Sequence, residues 1–173
     1  MQPTASLTAY YRYFALYCFA VMVVCLVGMI AYEYNFGPIP SAAQYGLWFA
    51  QVICPAAATA YRFVQHHRRC PTKDEKAKLA RVSLALAVAI NAIPLLAIVG
   101  WICVMAFIVG DPDFQIVYYA YRQQAVWLLV SADAMFWIVV ACGVAMFFLA
   151  SYFLIRSQYG RSAQKLAARM FPQ

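Results

Sequence analysis

The residue whose position most invites chemistry is Asp133. It is the only charge between Gln123 and Ile155, and a carboxylate inside an apolar membrane helix costs several kcal/mol, so it is retained for a reason. A carboxyl that gains and loses a proton in such a place is what a proton-coupled carrier exploits. The structural alternative is a helix that starts later, leaving Asp133 near the headgroups, or a side chain that only bonds a neighbouring helix. Gln44 and Gln51 are seven apart and so share one helix face. They would descend from the outer edge towards the midplane and could line a path beside Asp133. Asn91 precedes Pro94, which removes a backbone donor, and Pro55 does the same upstream. Polar side chains and prolines of this kind also hold helices together without binding a substrate.

Other reactive residues offer less. His66 and His67, with Cys70 one turn beyond His66, hint at a metal site, but Arg62, Arg68 and Arg69 surround them with opposing charge. A solvated basic loop is the simpler reading, and no metal is expected. Cys18, Cys25, Cys54, Cys103 and Cys142 are scattered through apolar runs and no Cys-x-x-Cys occurs, so they read as small packing residues. No histidine lies inside an apolar run, which leaves a b-type haem without axial ligands. Phosphate and dinucleotide motifs are missing as well. No catalytic constellation, no cofactor and no enzyme are therefore expected.

The elements that must position these residues follow from composition. Of 173 residues, 66% are hydrophobic and only 11% charged, with a mean hydropathy of +0.69. Soluble domains are about half apolar and about a quarter charged, and so short a chain cannot hide the excess, so lipid must be its solvent. Crossing the hydrocarbon takes about 20 apolar residues. Three uncharged runs, and a fourth whose only charge is Asp133, predict spans over 13–32, 41–61, 84–108 and 126–148, separated by the Asn35–Pro40 turn, a basic loop over 62–81 and Asp111-Pro112-Asp113. The fold class is an all-α polytopic membrane protein with four transmembrane helices and short loops. The first span is too long for a signal-peptide core and no small-x-small cleavage site follows it. It reads as retained.

Orientation follows from Lys and Arg. With four spans, the N-terminal tail, the 62–81 loop and the 156–173 tail share one side, which then holds every basic residue except Arg122. That side is the cytoplasm. The net charge of +7 could suggest nucleic acid, yet the cations flank apolar runs where anionic headgroups lie. Arg62, Arg68, Arg69, Lys73, Arg161, Lys165 and Arg169 are the candidate anionic-lipid contacts, and no nucleic-acid partner is expected. Tyr10, Tyr11 and Tyr13 mark the inner edge, and Tyr32, Tyr34, Tyr118 and Tyr119 the outer one. Phe114 to Tyr121 is aromatic-rich and expected in the outer interface.

Thr72 and Glu75 form a capping-box pattern that should start the third helix in the cytosol. After Gly160, Ala163, Leu166, Ala167 and Met170 recur at helical spacing opposite Arg161, Lys165 and Arg169, which predicts a C-terminal amphipathic helix lying on the inner leaflet. Ala56-Ala57-Ala58, Ala85 with Ala89, and Ala141 with Ala145 permit close helix approach.

The stretch Tyr61-Arg62-Phe63 through Arg69-Cys70-Pro71-Thr72-Lys73-Asp74-Glu75-Lys76, with its Arg-x-Pro-Thr-x-x-Glu-Lys core and its place between the second and third spans, resembles a family of small, uncharacterised four-helix bacterial inner-membrane proteins. The resemblance implies that membrane as the location and supplies no site residues. The expected role is a non-enzymatic accessory or interaction protein of a membrane complex, with lipids and either a membrane-protein partner or a second copy as partners. The alternative is a small proton- or cation-coupled transporter using Asp133. A lipid-modifying enzyme is the third reading; such enzymes gather several acids, histidines or basic residues at one membrane face, and here only the basic loop answers to that.

Overall fold

A computed structural model describes residues 6–171; the last two residues of the expected tail lie outside the described residues. The described chain is all-α and consists of five continuous helices. The first two are α1 (Thr8–Phe36) and α2 (Ser41–His67). Next comes α3 (Lys73–Cys103), which runs on through a π-helical turn, Val104–Val109, and is followed by α4 (Pro112–Ser131). The fifth is α5 (Ala134–Ser157), extended by a second π turn, Gln158–Ser162, into α6 (Ala163–Met170).

Three of these helical stretches are long and apolar enough to cross a membrane: Thr8–Phe36, Lys73–Val109 and Ala134–Met170. The stretch α2 is long enough but less apolar, because Gln44, Gln51, Tyr45, Trp48 and Pro55 dilute its aliphatic content.

Local chemistry explains most boundaries. At the end of α1, Gly37 takes φ 89, and its amide bonds the Glu33 carbonyl. A left-handed residue of this kind suits glycine, which has no Cβ to clash. The end of α2 uses a costlier residue, Arg68, at φ 48, with its amide on the Val64 carbonyl. The capping box starts α3 as expected: the Glu75 amide donates to Thr72 Oγ1 at 3.3 Å, and the Thr72 amide donates to Glu75 Oε2 at 2.8 Å. Gly110, at φ 75, and Asp111, whose carboxylate accepts the Asp113 amide at 3.0 Å, reverse the chain into α4 with Pro112 in its first turn.

One expectation needs correction. The fourth apolar run, 126–148, is not one helix, because α4 stops at Ser131 and α5 starts at Ala134. Ala132 is extended, the Ser131 hydroxyl folds back on the Trp127 carbonyl, and Asp133 Oδ1 accepts the Phe136 amide at 2.8 Å. Ser-Ala-Asp thus ends one helix and caps the next, a break that hydropathy alone does not register. The segment 114–121 is accordingly part of α4. The C-terminal segment is amphipathic, and its apolar side meets protein: Ala163 is fully buried, and Leu166, Ala167 and Phe171 pack on the same core. Packing against α2 covers part of that face.

The chain divides into two compact units. The first holds residues up to Ile90 together with those from Leu149 on; the second is Asn91–Phe148. In the first, α1 and α2 form an antiparallel hairpin. Tyr10 meets Phe63 at 5.1 Å between ring centroids near one end, and Met29 and Tyr32 face Ile39, Pro40 and Ala43 near the other. The first turns of α3 and the last turns of α5 complete a core around Phe14, Phe63, Leu79, Ile155 and Tyr159. In the second, the π turn and α4 pack through Phe107 against Tyr118 at 4.8 Å, and Gln115 Nε2 bonds the Ala106 carbonyl at 3.0 Å. Among its described residues only Ala106 is buried.

Candidate functional site

The residues singled out for an intramembrane polar site are divided between the two units. Gln44 is exposed and bonds the Ile39 carbonyl at 3.4 Å, closing the turn before its own helix. Gln51 is buried in the first unit. Asn91 is half-buried, and Asp133 is exposed as the cap of α5; both belong to the second unit. The apolar cleft of about 560 Å³ between α1 and α2 is lined by Val24, Gly28, Met29, Ala43, Gly46 and Leu47, and by neither glutamine.

Two polar arrangements in the first unit are built from buried side chains that bond one another. One begins with Pro55. Lacking an N–H, it leaves the carbonyl four residues earlier, that of Gln51, without its helical donor. The Cys18 thiol of α1 points at that oxygen, 3.7 Å away, and supplies a weak substitute. The same proline's carbonyl accepts the Thr59 hydroxyl at 2.8 Å. Having spent its proton there, Thr59 accepts from the Tyr159 phenol, which in turn takes the Ser83 hydroxyl at 2.9 Å. Thr59, Ser83 and Tyr159 are all fully buried, and a relay of hydroxyls satisfies each of them while joining α2, α3 and the second π turn.

The other arrangement closes the basic end of the hairpin. Arg69 makes a two-pronged ion pair with Glu75, 2.8 Å and 2.9 Å, while its guanidinium lies 5.5 Å over the Phe63 ring. Glu75 is therefore held by Arg69 and by the Thr72 amide together. Donating to the Glu75 carboxylate raises the Arg69 pKa above its already high ordinary value. His67 lies against the Phe63 ring at 4.7 Å and the Tyr10 ring at 5.8 Å. Burial first, then the charges of Arg69 and His66, lower its pKa, against a smaller upward pull from Glu75. His66 Nδ1 is 3.3 Å from the Tyr10 hydroxyl.

The seven basic residues proposed for lipid contact fall into distinct groups. Arg69 is committed to Glu75. Arg62 lies 5.4 Å over the Tyr13 ring, and Arg68 lies 5.6 Å over Phe171. Lys165 and Arg169 are exposed on α6. Lys73 and Arg161 share a cleft of about 460 Å³ with Lys76, Phe153, Arg156 and Gly160. Lys76 and Arg156 were not among the sequence candidates. The signal that could have found them is spacing, since Lys73 with Lys76, and Phe153 with Arg156 and Gly160, each lie on one helical face. Arg69 as the partner of Glu75 was also missed, because the pair closes across the Cys70-Pro71 bend.

Compared with known proteins, the chain matches no family model, no curated protein and no solved structure.

Proposed function

We propose that this chain crosses a bacterial inner membrane four times, with both termini in the cytoplasm, and works as a non-enzymatic accessory or interaction protein of a membrane complex. The hairpin supports counting α2 as a span: α2 returns along α1 from the 37–40 turn to Tyr10, so if one crosses, its partner does too. Within the first unit, α1 begins, α2 ends, α3 begins and α5 ends around one core, the side to which positive-inside counting gives every cation except Arg122. The resemblance of Arg69 to Lys76 to inner-membrane proteins agrees with that compartment.

The single observation that carries the interaction reading is the surface of 91–148. There, α4 buries no residue, and Trp127, Val130, Met135 and Val139 are among many exposed large apolar side chains. A surface like this must be covered by lipid or by another protein. The transporter alternative rests on Asp133, and helix capping already accounts for that carboxylate. The test is photo-crosslinking in living cells from a reactive residue placed at Trp127 or Val130. Adducts with one defined protein, or with a second copy of this chain, are expected. Lipid adducts alone, together with solute flux in proteoliposomes that Asp133→Asn abolishes, would replace this reading with the carrier.

A further inference from the structure

We infer that the cleft between the start of α3 and the end of α5 is a binding site for the phosphate of an anionic phospholipid headgroup of the inner leaflet. Four cations converge on it. Lys73 and Lys76 come from successive positions on one face of the first turns of α3, Arg156 from the last turn of α5, and Arg161 from the π turn that follows. Among the described residues none of the four is held in an ion pair. The nearest buried acid in sequence, Glu75, is occupied by Arg69, so it does not neutralise them. Grouped cations left unpaired in this way repel one another, a cost that a bound anion removes.

The geometry of the cleft selects a lipid over a free anion. Phe153, one turn before Arg156 on the same face, supplies an exposed aromatic wall, so a cationic floor is continuous with an apolar side. That is the profile of a molecule with a phosphate at one end and hydrocarbon at the other. The Ser157 hydroxyl is already spent on the Leu154 carbonyl at 2.8 Å, which leaves charge as the means of recognition. The π turn has a part in this. It lets Tyr159 stay buried at the Ser83 bond while Gly160, one residue on, lines the opening. A Cβ at Gly160 would meet nothing within 4 Å, so the position is open towards the cleft and unstrained, and π turns recur at binding sites for this kind of reason.

The inference rests on the membrane reading above, and the two can fail separately. The full-length protein in neutral detergent is titrated with phosphatidylglycerol, phosphatidylcholine and inorganic phosphate, and bound lipid is counted by native mass spectrometry. Preferential retention of phosphatidylglycerol is expected. Lys76→Ala with Arg156→Gln should weaken it by about tenfold or more, since each cation near an anionic headgroup matters by nearly that factor. Gly160→Leu, which removes no charge, should weaken it as well, by filling the opening. Arg122→Gln should leave it unchanged. Equal retention of both lipids, an equal loss in Arg122→Gln, or inorganic phosphate displacing the lipid at matched concentration would each overturn the inference. Resistance of the same protein to alkaline extraction from membranes reports on membrane integration separately. Extraction of the wild-type chain would sink the four-span reading instead.

Discussion

The two units solve the same problem, placing apolar helices, by opposite means. The first packs α1, α2, the start of α3 and the end of α5 around Phe14, Phe63, Leu79 and Tyr159, and pairs its buried Thr59, Glu75 and Ser83 with named partners. The second buries only Ala106 among its described residues and offers Trp101, Trp127, Val130 and Ile138 to its surroundings. Side-chain fit therefore specifies the first. Hydropathy, caps and the solvent that lipid or a partner provides specify the second. Substitutions should consequently be felt very differently in the two.

The largest effect should come from Tyr159→Ala, which opens a cavity and strands the Ser83 hydroxyl, at a cost of about 3–5 kcal/mol. A melting curve in mild detergent reads this, and an unchanged midpoint would deny that the hydroxyl relay lies in a packed core. Glu75→Ala should follow, at about 2 kcal/mol, because it leaves the partly buried Arg69 charge unmatched and undoes the capping box. The double variant with Arg69→Ala should lose clearly less than the sum of the two single changes. In the second unit, Asp133→Ala should cost about 1 kcal/mol as a lost cap, whereas Asp133→Asn, which can still accept the Phe136 amide, should cost almost nothing. If Asp133→Asn were instead as damaging as Tyr159→Ala, the carboxylate would have a role beyond capping.

The smallest effect is one of pH. The folded-state pKa of His67 lies below its ordinary value of about 6.5, so the fold prefers the neutral ring. Its contribution to stability is whole above the unfolded pKa and fades as pH falls from there towards the folded value. A modest loss of thermal stability below about pH 6.5 should be blunted in His67→Gln. An identical acid-side slope in that variant would place the titrating group elsewhere.

The contrast between units also marks what the sequence could reveal. Of the four expected spans, 13–32 and 41–61 lie within α1 and α2, and 84–108 runs through α3 into its π-helical turn, because charge-free length and turn residues are local signals. The Thr72–Glu75 cap was legible for the same reason. Asp133 was conspicuous as a lone charge, but its role depends on the extended Ala132 before it, a backbone event that periodicity does not encode. The Cys18–Gln51 contact, the Ser83–Tyr159 bond and the Arg69–Glu75 pair each join residues distant in sequence or across a bend. The apolar face of α6 was visible, but whether lipid or α2 would cover it was a tertiary question.

The most direct measurement is labelling with a membrane-impermeant maleimide. Cys70 is kept as the sole native thiol, and single cysteines are placed at Asn35 or Asp113 in a background otherwise free of cysteine. Four crossings with cytoplasmic termini predict labelling at positions 35 and 113 in intact cells, and labelling of Cys70 only after the membrane is opened. Labelling of Cys70 in intact cells, or protection of position 35 until lysis, would contradict that topology.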